Sequence, residues 1–193
     1  DVSSVTNMES MFASGSSFNV ELSTWGVSKV VDMGFMFASA KLFKGGDISK
    51  WDVSRVTNMN YMFYFALSFN DDLSKWDVSS VTDMEQMFFE ARSFNSGIST
   101  WDVSSVTKMP GMFASATSFN GDISKWDVSS VDDMKKMFEG ALSFKQTLCG
   151  AWVTSTADRD GMFDGSPGRI CATSATIRTT TTTVIPTTTS NPW

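Results

Sequence analysis

The sequence contains no histidine, only two cysteines, and no apolar run that approaches the length of a membrane span. Without histidine, a Cys₂His₂ zinc site is excluded, and the commonest general base of enzymes is missing. A transmembrane helix needs about 20 consecutive apolar residues, so none is expected. The net charge is −6 and lysine and arginine do not cluster, which argues against nucleic acid as a partner.

Motifs of catalysis and of cofactor binding are also lacking. The sequence has no G-x-S-x-G, no P-loop and no G-x-G-x-x-G, which mark hydrolases, nucleotide phosphate sites and dinucleotide sites. Acidic residues are plentiful, but they recur at equivalent positions, and a repeated position does not define a unique cleft. We therefore expect no enzyme activity, no cofactor and no metal site from this chain.

What the sequence has in abundance is a register that repeats every 25 or 26 residues. Its 13 methionines fall into two columns, and a phenylalanine follows each member of the second. The columns are Met8, Met33, Met59, Met84, Met109 and Met134, and then Met11, Met36, Met62, Met87, Met112, Met137 and Met162. Further columns are Phe18, Phe43, Phe69, Phe94, Phe119 and Phe144, and Trp25, Trp51, Trp76, Trp101, Trp126 and Trp152. Such self-similarity is typical of repeat proteins.

Each repeat predicts a strand, a short helix and a turn. Trp126 and Val128 alternate with polar residues, as in a strand. Residues 81–91 carry apolar side chains at helical spacing, with Thr82 as the N-cap and Glu85 completing a capping box. Neither element can bury its apolar side alone, so neighbouring repeats are expected to stack, with the strands in a parallel sheet.

The sequence Ile-Ser-Lys-Trp-Asp-Val-Ser-Ser-Val at 123–131 has the spacing of a leucine-rich repeat with other apolar residues substituted. The fuller unit W-D-V-S-x-V-T-x-M-x-x-M-F resembles the repeat of BspA-like surface proteins over about residues 1–148. The resemblance implies an α/β solenoid: a right-handed leucine-rich-repeat superhelix of strand–short helix units with a parallel sheet on one face. It also implies a secreted or surface-anchored protein with adhesion or recognition roles, and no defined ligand.

The repeats divide the chain into three predicted parts. Residues 1–148 form six tandem repeats, and the first is expected to begin in mid-repeat, because Asp1 matches the residue that follows tryptophan in later copies. Residues 149–178 form a degenerate seventh repeat, in which polar side chains at core positions suit a C-terminal cap. Residues 179–193 are rich in threonine and proline, as in a linker or an O-glycosylated stalk.

The two cysteines, Cys149 and Cys171, lie outside the six regular repeats and bracket the seventh. This placement predicts one disulfide and an oxidising compartment, with two reduced buried thiols as the alternative. Together with the stalk-like tail, the disulfide favours an extracellular or cell-surface location.

The candidate binding surface is the outer face of the predicted sheet. Its charged residues recur at two positions of the repeat: Lys50, Lys75 and Lys125 at the first, and Asp52, Asp77, Asp102 and Asp127 at the second. Each of these lysines lies two residues before an aspartate and is available to pair with it, so one interpretation is a solvated charge ladder. A contact surface for a protein or glycan is the second interpretation, and calcium bridging along the aspartates is the third.

These observations favour a non-enzymatic recognition or adhesion module that binds a protein or glycan through this face. A passive structural spacer for another domain and a binder of ice or mineral surfaces are the alternatives. Neither nucleic acid binding nor direct membrane insertion is expected. The N-terminal edge is uncapped, so Met8, Met11, Phe12 and Phe18 are expected to be partly exposed and to permit self-association.

Overall fold

The computed structural model describes residues 1–172. Its regular elements are a 3₁₀ helix at Ile48–Lys50, strand β1 at Thr147–Leu148, helix α1 at Ala151–Thr154 and strand β2 at Arg169–Ile170. β1 and β2 pair in parallel, with Thr147 opposite Arg169. The predicted α/β solenoid is therefore wrong, because neither an extended sheet nor an α-helix lies within residues 1–148.

Turns take the place of the predicted helix. In the 81–91 segment, Gln86 and Glu90 adopt left-handed backbone conformations with φ of 48° and 57°, which are incompatible with a right-handed α-helix. The N–H of Met87 bonds three residues back, to the carbonyl oxygen of Met84 at 3.2 Å. The segment is a succession of short turns with the same apolar side chains pointing inward.

The N–H groups that a helix would use internally reach the next repeat instead. Donors at every second residue, namely Met84, Gln86, Phe88 and Glu90, bond at 2.9 Å to the carbonyl oxygens of Lys108, Pro110, Met112 and Ala114. Single-residue parallel bridges run through all the repeats, in the order Asn7, Asp32, Asn58, Asp83, Lys108, Asp133 and Asp158. Backbone hydrogen bonds therefore join equivalent residues of consecutive repeats without building a sheet.

The predicted capping box does not form. Asp83, and not Thr82, accepts the N–H of Glu85, at 2.9 Å, which is the local turn that aspartate and asparagine favour. The hydroxyl of Thr82 donates to the carbonyl oxygen of Thr57 in the preceding repeat, at 3.2 Å. Thr107 makes the equivalent bond to Thr82 at 3.3 Å. The threonine column thus ties repeats together and begins no helix.

The predicted strand at the tryptophan is also replaced by extended residues between turns, although the alternation of burial is confirmed. Trp126 and Val128 are buried, and Lys125, Asp127 and Ser129 between and beside them are exposed. Alternating burial requires only extended backbone with one face on a core. It does not require a hydrogen-bonded neighbour, and so it does not by itself predict a sheet.

The methionine and phenylalanine columns form one continuous core. Every methionine except Met11 is buried, as are the phenylalanines from Phe37 to Phe144 that belong to the columns. Within a repeat, the rings of Phe63 and Phe69 stack with centroids 3.8 Å apart. Between repeats, Phe63 stacks on Phe88 at 5.5 Å. Stacked ring pairs contribute about 0.5–1.5 kcal/mol each beyond the burial of their area, so the core itself favours the stacking of repeats.

Each buried tryptophan adds a polar link to the preceding repeat. The indole Nε1 donates to a backbone carbonyl oxygen at 2.9–3.1 Å, from Trp51 to Leu22, Trp76 to Ile48, Trp101 to Leu73, Trp126 to Ile98 and Trp152 to Ile123. The first and the last of these bonds span 29 residues and the others 28. The two longer spans end at Trp51 and Trp152, which follow the preceding tryptophan after 26 residues and not 25. The extra residue lies in the loop before the tryptophan, and the indole still reaches the equivalent carbonyl oxygen.

The C-terminal end keeps the register and carries the disulfide. Phe138 donates its N–H to Met162 at 2.9 Å, as earlier repeats do to theirs. Cys149 and Cys171 are bonded, with Cα atoms 5.0 Å apart, which confirms the predicted pairing. The assignment of 149–178 as a cap stays a prediction. Its last residues and the predicted 179–193 tail lie outside the described residues.

Candidate recognition surface

The four predicted aspartates follow buried tryptophans and are exposed, in turns and not on a sheet. In each, Oδ1 accepts the backbone N–H of the serine two residues later, at 3.2 Å for Asp52, 3.1 Å for Asp77, 3.0 Å for Asp102 and 3.0 Å for Asp127. In the first three, the serine hydroxyl donates to the same oxygen at 2.6–2.7 Å. These four residues, which we call the aspartate column, therefore have fixed carboxylates.

The serine hydrogen bonds favour the ionised carboxylate. Two hydrogen bonds from Ser54 hold the pKa of Asp52 below its ordinary value: the hydroxyl has the larger effect and the backbone N–H the smaller. Ser104 lowers the pKa of Asp102 in the same way. The pKa of Asp127 is lowered in the same way, and the charge of Asp102 opposes that shift only weakly. Asp52, Asp102 and Asp127 are thus charges that face solvent at neutral pH.

The lysines do not neutralise the aspartate column. Lys50 ends the 3₁₀ helix, and its Nζ lies 2.7 Å from Oδ2 of Asp47, which raises the pKa of the lysine and lowers that of Asp47. Among the ion pairs of residues 1–172, none joins Lys75 or Lys125 to the aspartate two residues later. The pairing that the spacing makes available is not formed, and serine is the nearer partner of each carboxylate.

Hydrogen bonds between repeats hold the turns on either side of the aspartate column. The Ser80 hydroxyl donates to the carbonyl oxygen of Ser54 at 2.8 Å, and the Thr100 hydroxyl to that of Ser74 at 3.0 Å. Both bonds connect a turn to the turn at the same position in the preceding repeat. The column therefore belongs to a regular surface whose neighbouring repeats are linked by side chains as well as by backbone.

Two acidic residues outside the aspartate column, Asp71 and Asp72, accept backbone hydrogen bonds. A cavity of about 250 Å³ is lined in part by Asp71 and Asp72. Asp71 accepts the N–H of Ile48 at 2.8 Å, and Asp72 accepts that of Ser74 at 2.9 Å, which lowers the pKa of Asp72. Within residues 1–172, no group of three or more cysteine, aspartate or glutamate side chains is placed to hold a metal ion. These carboxylates stabilise turns.

The N-terminal edge differs in part from the expectation. Met8 is only 2% exposed, so its predicted exposure is wrong. Met11 is 48% exposed, and Phe12 and Phe18 are half-buried against the core, which confirms the expectation for these three residues. Self-association through this edge stays a prediction, for which sedimentation equilibrium is the direct measurement.

Five half-buried aromatic residues, which the repeat pattern does not predict, form a cluster that we call the aromatic surface cluster: Phe35, Tyr61, Tyr64, Phe65 and Phe89. Phe35 stacks on Tyr61 with centroids 4.4 Å apart, and Tyr64 stacks on Phe89 at 5.1 Å. The Tyr61 hydroxyl donates to Glu85, and burial together with that carboxylate raises the pKa of Tyr61. The sequence does indicate the cluster in one way: at most of these positions, other repeats have serine, alanine or glycine in place of an aromatic residue.

A family described as "Mycoplasma protein of unknown function, DUF285" matches the chain twice, over residues 1–92 and 68–169. The chain belongs to this family. Both matches lie on the repeats, so the repeated unit carries the assignment. Searches of curated proteins and of solved structures gave no match. The finer assignment to BspA-like surface proteins stays a prediction, and the family description brings no ligand or activity with it. Along residues 1–172, no helix has the length and apolar character needed to cross a membrane.

Proposed function

We propose that the chain is a non-enzymatic recognition or adhesion module of a secreted or cell-surface protein, and that a protein or glycan partner contacts the aspartate column. One observation carries the proposal. Four carboxylates at equivalent positions are exposed and held by serine, while the nearby lysines leave them unpaired within residues 1–172. A repeated, fixed charge is a surface on which a partner can be bound at several points.

Fixed carboxylates suit binding for an entropic reason. Ordering a mobile side chain at an interface costs about 0.5–1.5 kcal/mol. At Asp52, Asp77 and Asp102, both the N–H and the hydroxyl of a serine already hold one oxygen. The second oxygen of each carboxylate is left to accept hydrogen bonds from basic side chains or from sugar hydroxyls. Binding at the aspartate column therefore orders little that is not already ordered.

The non-enzymatic part of the proposal is supported by the hydrogen bonding of the acidic cavity. Asp71 and Asp72 each accept a backbone N–H, and a carboxylate committed to a turn makes a poor proton shuttle. The extracellular part is supported by the Cys149–Cys171 disulfide, since such bonds persist in oxidising compartments. The resemblance of the repeat sequence to BspA-like surface proteins agrees with it.

The proposal is tested by removing charge while keeping the turns. Asp77→Asn with Asp102→Asn retains an Oδ1 acceptor for the serines and removes two charges. The matched control, Glu21→Gln with Asp164→Asn, removes two charges from other exposed sites. Binding of the purified chain is measured on a glycan array and on immobilised extracellular matrix proteins. We expect binding to at least one surface, about tenfold weaker for the first variant and unchanged for the control.

Two outcomes would contradict the proposal: no binding to either panel, or equal weakening in both variants. The first outcome would favour a passive spacer, which is the second candidate function. The observation that favours a spacer is the continuous linkage of the repeats, in which backbone bonds and the tryptophan indoles join each repeat to its neighbour. A spacer requires this linkage and makes no use of the aspartate column.

A further inference from the structure

The aromatic surface cluster lies apart from the main core that residues 1–172 build. Phe35, Phe65 and Phe89 are half-buried, and none of the three belongs to the core or packs against it. Aromatic side chains are normally placed where they bury the most area, and a half-buried group of them on a surface marks a contact site. Core packing does not account for this cluster.

The backbone makes the cluster harder to explain by stability alone. Phe35, Tyr61 and Phe65 adopt left-handed conformations with φ of 56°, 55° and 55°. The same conformation recurs at the equivalent positions of other repeats, both at glycine, as in Gly111 and Gly140 with φ of 60° and 65°, and at other residues such as Gln86. A bulky residue is disfavoured in this conformation and glycine is not. The conformation belongs to the repeat, and what sets the cluster apart is an aromatic residue at positions where glycine fits better.

The ring stack of the cluster ends at a cavity. Tyr64 stacks on Phe89, and the equivalent position in the next repeat is Ala114, which has no ring. The space beyond Phe89 is a cavity of about 110 Å³, lined by Phe89, Gly111 and Ala114 together with Gln86, Pro110, Lys135, Lys136 and Glu139. The two-ring stack of Tyr64 and Phe89 therefore stops where the cavity begins.

The charged groups at the edge of the cavity are paired with partners of this chain. Nζ of Lys135 lies 3.1 Å from Asp158, and Nζ of Lys136 lies 3.4 Å from Glu139. A charged ligand would have to displace these partners, and a sugar would have few unpaired groups for its hydroxyls. An uncharged planar group requires neither a displaced ion pair nor free polar groups, because it gains contact area on the half-buried Phe89 and Pro110.

We infer that this cavity binds an aromatic side chain of a protein partner, which continues the Tyr64–Phe89 stack over Ala114. Aromatic anchors that fill pockets of this kind dominate the energetics of many protein interfaces. The inference goes beyond the proposed function and is independent of the aspartate column, which lies in different turns of the repeat. A failure of binding at the aspartate column therefore does not contradict binding at the cavity, and the reverse also holds.

The test uses the full chain and the peptide acetyl-Gly-Trp-Gly-amide as a probe, followed by NMR of the alanine methyl groups. We expect saturable shifts at the Ala114 methyl. Ala114→Phe fills the cavity from within and should weaken the peptide by about tenfold. The matched control, Ala13→Phe, places the same ring at the equivalent position of the first repeat and should leave binding unchanged. Phe89→Leu removes the ring wall and keeps an apolar side chain, and it should also weaken binding.

Three results would overturn the inference. The first is a tryptophan peptide that leaves the Ala114 methyl unshifted in the wild-type chain. The second is equal or tighter binding of methyl glucoside at the same methyl, which would make the cavity a sugar site. The third is equal weakening by Ala13→Phe and Ala114→Phe. If Ala114→Phe fails to fold, Phe89→Leu alone decides: unchanged peptide affinity in that variant also overturns the inference.

Discussion

Pro110 stands where other repeats donate a backbone N–H to an aspartate or asparagine, and Lys108 stands where that acceptor would be. In the neighbouring repeats, Asp83 accepts the N–H of Glu85, and Asp133 accepts that of Lys135, both at 2.9 Å. Lys108 has no side-chain acceptor and Pro110 has no N–H to donate. The two departures from the repeat therefore compensate each other, and no donor is left without a partner.

Pro110→Ala should destabilise the chain by about 1 kcal/mol, because it adds an N–H with no acceptor and frees the unfolded backbone. Lys108→Asn alone should change little, since Pro110 cannot donate to the new acceptor. The double variant should regain most of the loss by completing the turn. Urea unfolding of the wild-type chain, the two single variants and the double variant measures the interaction free energy between positions 108 and 110. If the effects of the two substitutions simply add, the two residues do not compensate each other.

Trp101→Phe should reduce the free energy of unfolding by about 1 kcal/mol, because the carbonyl oxygen of Leu73, which also accepts the N–H of Trp76, loses the indole as its second donor. Urea unfolding measures the loss. Trp25→Phe is the control, since Trp25 is half-buried and its indole makes no hydrogen bond in the described part of the chain. Equal losses in the two variants would show that ring area, and not the hydrogen bond, stabilises the fold.

Stability should fall at acid pH through the serine-held aspartates. The folded pKa values of Asp52, Asp102 and Asp127 lie below the ordinary value. A depressed folded pKa adds stability above the unfolded pKa of about 3.9, and the added stability is lost as pH falls through the folded pKa. The unfolding temperature should therefore hold steady between about pH 7 and 5 and drop below about pH 4.

Asp102→Asn isolates this effect, since asparagine keeps the Oδ1 acceptor for Ser104 and does not titrate. Its unfolding temperature should fall less steeply at acid pH than that of the wild-type chain. Asp164→Asn removes a carboxylate that accepts no hydrogen bond within residues 1–172 and should follow the wild-type curve. Parallel curves for Asp102→Asn and the wild-type chain would rule out a contribution from Asp102.

The disulfide should stabilise the last described repeat. Cys149 and Cys171 are separated by 22 residues, and a loop of that size corresponds to about 3 kcal/mol of stabilisation. Reduction of the wild-type chain should lower the free energy of unfolding and raise hydrogen exchange near Met162 more than near Met62. The double variant Cys149→Ser, Cys171→Ser should resemble the reduced chain and should not respond to reductant. An unchanged exchange rate near Met162 would contradict a stabilising role.

The periodicity of the sequence predicted what is buried but not the backbone that buries it. Apolar residues at Val81, Met84, Met87 and Phe88 fit one face of a helix, and they equally fit a succession of turns in which every second N–H bonds to another repeat. Glycine distinguishes the two: Gly111 and Gly161 share one position of the repeat, and Gly140 and Gly165 another, each with positive φ. A recurrent glycine at two positions indicates left-handed backbone, which a helix interior excludes.

The candidate site was predictable to a similar degree. The exposure of Asp52 and Lys50 followed from alternation with Trp51, and the disulfide followed from the placement of its cysteines. The partners of the aspartates could not be predicted from spacing. Asp52, Asp77 and Asp127 each have a lysine two residues before them and a serine two residues after them, and the serine is the one that lies close enough to bond. The aromatic surface cluster could not be predicted from the periodicity, because its residues depart from those at the equivalent positions of other repeats.

The indole bonds from each tryptophan to the preceding repeat have a consequence for how the gene can change. Every donor meets its acceptor one repeat away, so an added or deleted copy of whole length restores the same contacts at the new junction. A deletion of a few residues within a copy misaligns the bonds between that copy and its neighbours, except in the loop before the tryptophan. The contacts thus permit a change of copy number, and the length of the repeat array and the number of its carboxylates would change with it in fixed steps.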